Sequence, residues 1–207
     1  MGSILLNAIW IVLTVIGTAM PATMVANSAE HHIGRSMLVG HLTSQPIGHY
    51  VFCRSHRDEC QAEKERAPAR VTDYGWSVVH EINDAVNHEV IPMTDIEIYG
   101  EEEVWSYPEA MGDCEDYVLL KRALLIERGF PASDLLITVV RKRNGEGHAV
   151  LTLRTDDGDY ILDNLDDDVE LWTDTPYTYL KRQASYHAGR WVNIENGDEL
   201  TVGSIPN

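Results

Sequence analysis

A chain of 207 residues with 44% hydrophobic, 8% aromatic and 24% charged residues has the composition of one folded domain and is too short for two of ordinary size. Its formal net charge of -17 excludes a nucleic-acid backbone or an anionic lipid surface as partner, because both require a basic footprint. Acidity on this scale serves solubility and leaves room for bound divalent cations.

The first 29 residues carry no charged side chain, and Ile4 to Met20 is almost wholly apolar. Ala26-Asn27-Ser28 then offers small residues at the spacing a signal peptidase reads, so residues 1–28 are expected to be removed and 29–207 to form a single domain. No Lys or Arg precedes the apolar run, and its length approaches that of a membrane span. A retained N-terminal anchor is therefore the competing reading, and either one takes the remainder out of the cytoplasm.

Residues 29–69 read as loop, with scattered Gly, Pro and Ser and the histidines His31, His32, His41, His49 and His56. Cys53 and Cys60 stand close enough to bridge in an oxidising compartment, which would leave Cys114 as a free thiol. Three reduced, inert cysteines, or a metal site shared with a histidine, are the other options. A helix is expected from about Thr72 to Val90, with Thr72 as N-cap and Trp76, Val79, Ile82, Val86 and Val90 at helical spacing. His80-Glu81 and His88-Glu89 lack the four-residue spacing of a zinc-protease helix and read as structural.

A connector spans 94–109, and a second helix is expected from Asp113 or Cys114 to Gly129, a suitable left-handed cap. Strands follow at Leu135–Arg141, Ala149–Leu153 and Tyr160–Asp163, separated by turn signals at Asn144-Gly145 and Asp157-Gly158. Trp191–Ile194, Asn196-Gly197 and Glu199–Val202 suggest a final hairpin. Helices first and an antiparallel sheet afterwards make an α+β fold.

Cys114 sits where a glycine hands over to a helix, in Gly112-Asp113-Cys114-Glu115-Asp116. Unpaired N–H groups and the positive end of the helix dipole favour thiolate there. His148 heads one strand and Asp163 closes the next, giving the order nucleophile, base, orienting acid. If a two-residue turn at Asp156-Asp157 joins these strands, Asp163 lies opposite Val150, and His148 is a same-face diagonal neighbour at roughly 7–8 Å between backbones. A turn at Asp157-Gly158 preserves the face, whereas a three-residue turn flips Asp163 away. Each residue also has a plain reading: a small core cysteine, a satisfied histidine, an aspartate opening a turn.

Gly112-Asp113-Cys114-Glu115-Asp116-Tyr117 with Lys121-Arg122, then Gly147-His148-Ala149-Val150-Leu151 and Leu162-Asp163-Asn164-Leu165, resembles the bacterial transglutaminase-like cysteine proteinase family. Phe52-Cys53 through Cys60, Val86-Asn87, Asp95, Tyr99-Gly100, Trp105 and Pro108 extend the likeness over about residues 50–185. The resemblance implies a papain- or transglutaminase-like fold, with the helix-start cysteine packed on an antiparallel sheet. It also implies a triad of Cys114, His148 and Asp163, and an oxyanion role for Trp105. Asp113 and Glu115 match acidic positions tied to calcium, although complementing a helix N-terminus accounts for them equally. Well-understood family members are periplasmic, calcium-dependent proteases that clip large biofilm adhesins and are restrained by an inner-membrane receptor for cyclic di-GMP.

The expected function is an exported cysteine endopeptidase working through a thioester. A transglutaminase or other acyltransferase shares the first half-reaction, and a non-catalytic calcium-binding module is the reading from another class.

Overall fold

In the computed structural model, which describes residues 34–197, the chain opens with regular structure where the sequence reads as loop. β1 (Val39–Thr43) is an edge strand, and α1 (Ile47–Ser55) follows Pro46. Neither has a local signature. β1 is mostly exposed and gains its pairing from a strand near the other end of the chain, while α1 has no side-chain cap and a glycine in its first turn. Gly48 is required there, since a Cβ would meet Trp105 Cδ1 at 2.2 Å. A disulfide joins Cys53 to Cys60 and ties the end of α1 to a single 3-10 turn, Arg57–Cys60. The export segment and Glu199–Val202 lie outside the described residues. Among the described residues no helix is long and apolar enough to cross a membrane.

α2 (Asp73–Glu89) starts where the Thr72 hydroxyl accepts the Gly75 N–H at 3.0 Å, as expected of an N-cap. Val78, Val79, Ile82 and Val86 form its buried stripe. The connector is more ordered than expected. β2 (Ile91–Pro92) pairs in parallel with β3 (Met111–Gly112), and between them lies α3 (Asp95–Tyr99), whose Glu97 carboxylate accepts both the backbone N–H and the hydroxyl of Thr94.

α4 (Cys114–Glu127) closes at Gly129, where φ is +94° and the Phe130 N–H reaches back to the Leu125 carbonyl. The remaining elements build one sheet: β4 (Leu135–Arg141), β5 (Gly147–Thr155), β6 (Gly158–Leu162), β7 (Glu170–Leu171), β8 (Thr178–Ala184) and β9 (His187–Ile194). Its order is β1-β9-β8-β4-β5-β6-β7 and every pairing is antiparallel. Trp191–Ile194 belongs to β9, which pairs antiparallel with β8 on one side and β1 on the other.

Both faces of the sheet are covered. Val79, Ile82 and Val86 of α2 and Leu125 of α4 pack over Leu135, Ile137, Leu151 and Leu153. On the other face Val140, Val150 and Ile161 pack with Trp172 and Tyr179. This double burial explains why β4 reads as a nearly unbroken apolar run instead of an alternating one. The α+β expectation holds, with α4 laid across β5 so that its N-terminus reaches the start of that strand.

Candidate active site

Cys114 is the first residue of α4 and the free thiol of the described chain. Gly112 lets the chain turn tightly into this helix, because a Cβ there would fall 2.6 Å from Asp116 Oδ2. The thiol donates to Glu115 Oε2 at 3.2 Å, and the Ala149 backbone N–H of β5 donates to the sulfur. Burial, then the Glu115 carboxylate, pushes the thiol well above its usual pKa despite the Ala149 contact. The helix dipole acts over one turn in partial charges, whereas burial and the Glu115 side chain act on the sulfur directly, and burial with the adjacent Asp113 raises the Glu115 carboxyl itself to about 9.

His148, in β5, is buried, and its Nε2 lies 2.8 Å from Asp163 Oδ1 just beyond the end of β6. Thr155 pairs with Gly158 and Leu151 with Leu162, so the hairpin uses the two-residue turn Asp156-Asp157 and Asp163 follows opposite Val150. With Nε2 committed to the carboxylate, Nδ1 is the nitrogen left for a thiol proton. Asp163 Oδ1 also accepts the Leu165 N–H at 3.1 Å, and Oδ2 accepts the Tyr177 hydroxyl at 2.5 Å. Burial opposes ionisation of Asp163, but the His148 and Tyr177 interactions outweigh it and hold the carboxyl below the ordinary range.

Cys114 and His148 line one cleft of about 550 Å³, together with Trp105, Glu115, Ala149 and Lys181. The thiol, the imidazole and a carboxylate behind it therefore meet at one site, which is the arrangement nucleophilic catalysis requires. Trp105 reaches this cleft, where its indole N–H donates to Glu103 Oε2 at 3.4 Å. The first N–H groups of α4 are the donors nearest in kind to an oxyanion site.

The acidic residues flanking Cys114 adjoin two further carboxylates, Asp95 and Asp116. Asp113 joins Asp95 and Asp116 in a cluster in which one oxygen of each lies within 4.8 Å of the others, while the Glu115 carboxyl is hydrogen-bonded to both Cys114 and Asp113. Asp95 Oδ2 accepts the Val104 N–H and Asp116 Oδ1 the Ser106 N–H. The opposing oxygens, Asp95 Oδ1 and Asp116 Oδ2, and with them Asp113 Oδ1, are buried without a hydrogen-bond partner. Burial raises the Asp95 carboxyl and pushes Asp116 up to about 7. Three converging carboxylates with orphaned oxygens fit a hard divalent cation. The other candidate metal group, His49 with Cys53 and Cys60, is closed, since its two sulfurs are bonded to each other.

Four contributors were not singled out from sequence. Tyr177 lies just before β8, in a stretch to which the sequence assigned no element, with its ring centroid 5.5 Å from that of His148. Lys121, Asn83 and Asn87 are helix residues whose spacing gives no sign of a destination, although Lys121 and Asn87 lie within the family resemblance. A buried polar residue on an otherwise apolar helix face was the available signal for Asn83 and Lys121.

The fold and this cleft define a cysteine hydrolase or acyltransferase of α+β type. The chain belongs to the bacterial transglutaminase-like cysteine proteinase family, whose model matches residues 39–199, and it is a cysteine peptidase. Among solved structures it is similar to calcium-bound LapG of Legionella pneumophila, with 23% identity over 56% of this chain and 68% of that one and a TM-score of 0.48. A second structure of Legionella pneumophila LapG matches at 23% identity over 62% and 73% of the two chains, with a TM-score of 0.48. The EGTA-treated form matches at 21% identity over 59% and 69%, with a TM-score of 0.49. No curated protein matches the chain.

Proposed function

We propose that the protein is an exported endopeptidase in which Cys114 is the nucleophile, His148 the base and then the acid, and Asp163 the group that orients His148. The supporting observation is the 2.8 Å bond between His148 and Asp163 beside the cleft that Cys114 also lines. His148 Nδ1 takes the thiol proton as Cys114 Sγ bonds to the peptide carbonyl carbon. The carbon–nitrogen bond then breaks while the imidazolium returns that proton to the leaving amine, and a thioester remains. His148 next removes a proton from water, the resulting hydroxide attacks the thioester, and the departing sulfur regains its proton. Because Asp163 stays ionised behind the ring, it stabilises the imidazolium in both half-reactions.

Asp95, Asp113 and Asp116 hold calcium in this reading. The ion would neutralise carboxylates beside the nucleophile and tie α3 to the start of α4. The uncharged apolar stretch at 4–20 supports export to the periplasm as a domain of residues 29–207. The family resemblance supports a large surface adhesin as substrate and a cyclic di-GMP-responsive membrane receptor as regulator.

The test is incubation of the protein and its Cys114→Ala variant with a mixed peptide library, read by mass spectrometry for new termini. New peptide termini that vanish with Cys114→Ala are expected. Amine-modified glutamines in place of new termini would establish acyl transfer, and activity surviving Cys114→Ala would overturn the reading.

A further inference from the structure

Lys121 is a fully buried ionisable group beside Asp163 whose chemistry the proposed mechanism does not use, and its burial demands an account. Its side chain is wholly enclosed, at 0% exposure. The ammonium donates to two neutral oxygens, Asn83 Oδ1 at 2.7 Å and the main-chain carbonyl of Asp163 at 2.9 Å. Burying an ammonium against neutral acceptors is costly, and it is weak evidence for a purely stabilising role. An uncharged side chain could satisfy a carbonyl there at lower cost.

The surroundings show what the charge holds in place. Asn87 Nδ2 donates to the same Asp163 carbonyl at 2.9 Å and to Asp167 Oδ1 at 2.9 Å. Asn83, which accepts from Lys121, donates through Nδ2 to the Asp167 carbonyl at 2.9 Å. Asn83 and Asn87 are four apart on α2, so they share one helix face. Lys121 lies seven residues after Cys114 on α4, two helical turns along. The turn from 163 to 167 is thus gripped from two helices at its main chain, while His148 and Tyr177 hold the Asp163 carboxylate from the sheet side.

We propose that Lys121 is a positioning residue for the triad: from the helix that begins at Cys114 it clamps the Asp163 main chain, and so sets the carboxylate against His148 at a fixed separation from the nucleophile. The inference rests on the triad reading above. Asn83 and Asn87 complete the clamp, the first by orienting the ammonium and the second by sharing the carbonyl. Burial lowers the Lys121 pKa to about 7, and the charged groups facing it, Asp163 and Asp167 from the turn and Asp84 from α2, oppose that pull.

The experiment compares wild type with Lys121→Met, Asn87→Ala and Cys114→Ala in the full chain. Turnover is followed on a quenched fluorescent peptide that wild type cleaves, and Cys114 reactivity by iodoacetamide alkylation between pH 5 and 9. Lys121→Met is expected to lower kcat at least tenfold with KM within twofold, and to displace the pH profile of alkylation. Asn87→Ala should move both readouts the same way by a smaller factor. A folded Lys121→Met with wild-type kcat and alkylation profile overturns the proposal. If Lys121→Met does not fold, Asn87→Ala decides: wild-type values overturn the proposal, and a lowered kcat with a displaced profile sustains it. Peptide cleavage by Cys114→Ala would instead sink the triad reading itself.

Discussion

His148 and Asp163 face each other at 2.8 Å because a two-residue turn joins their strands. In a hairpin the side-chain period is two, so each residue added to the turn reverses the face on which Asp163 emerges. The carboxylate that orients the imidazole is therefore specified by turn length as much as by its own identity. Asp163→Asn keeps the size of the group but replaces a charge that stabilises the imidazolium with an amide. A loss in kcat of roughly 10²–10⁴-fold is expected, with the fold intact, by analogy with the serine-protease triad. Steady-state kinetics beside circular dichroism checks this, and a loss under threefold would remove Asp163 from the mechanism.

The Glu115 contact adds to burial in holding the Cys114 thiol protonated. Burial raises the Cys114 thiol first, and the Glu115 carboxylate raises it further through charge and a hydrogen bond. Burial and then Asp113 raise the Glu115 carboxyl itself to about 9, so above that pH Glu115→Gln removes a charge and keeps the shape. Alkylation of Cys114 by iodoacetamide at about pH 10 should then become several-fold faster. An unchanged rate would mean that burial alone holds the thiol neutral.

Calcium should interact with pH in a defined direction. The folded-state carboxyl of Asp116 is raised to about 7 and that of Asp95 is also raised, both primarily by burial, from ordinary values near 3.8. Between the unfolded and folded values the native state binds more protons than the unfolded one, so these groups make the metal-free protein less stable as pH rises from about 4 to 7. A cation that pairs with ionised carboxylates reverses the penalty. With EGTA the melting temperature should fall across this window, and the increment from added calcium should grow with pH. At a hundredfold its Kd the ion contributes about 2.7 kcal/mol. Asp116→Asn should flatten both trends in differential scanning fluorimetry, whereas Glu115→Gln should retain calcium binding by calorimetry. Absence of calcium binding to the wild type would leave the cluster without this role.

The bridge between Cys53 and Cys60 should stabilise by constraining the unfolded chain. For a closed loop of about eight residues the chain-entropy relation gives about 2.5 kcal/mol. Replacing both cysteines by serine should lower stability by up to that amount in urea denaturation, while Cys114 remains alkylatable without reductant. Recovery of Cys114 in a disulfide from native protein would contradict the pairing.

Thr72 through Val90, Gly129 as a helix stop, the three strands from Leu135 to Asp163 and the helix-start position of Cys114 were all legible in the sequence, because capping, helical period and turn chemistry act between near neighbours. The Cys114, His148 and Asp163 order was legible for the same reason: each lies at the end of an element whose bounds are local, and parity carried the hairpin to the correct face. β1 was invisible, since its partner β9 lies far along the chain and its own residues are mostly exposed. Asp113 could be placed beside the nucleophile from sequence. That it points to Asp95 and Asp116, while Glu115 turns to the thiol, depends on α3 folding back against the start of α4. The destinations of Lys121 and Tyr177 were likewise settled only by packing. A helix period says that a residue is buried, but a buried ammonium or phenol takes its partner from whichever chain segment the tertiary fold brings within hydrogen-bond reach.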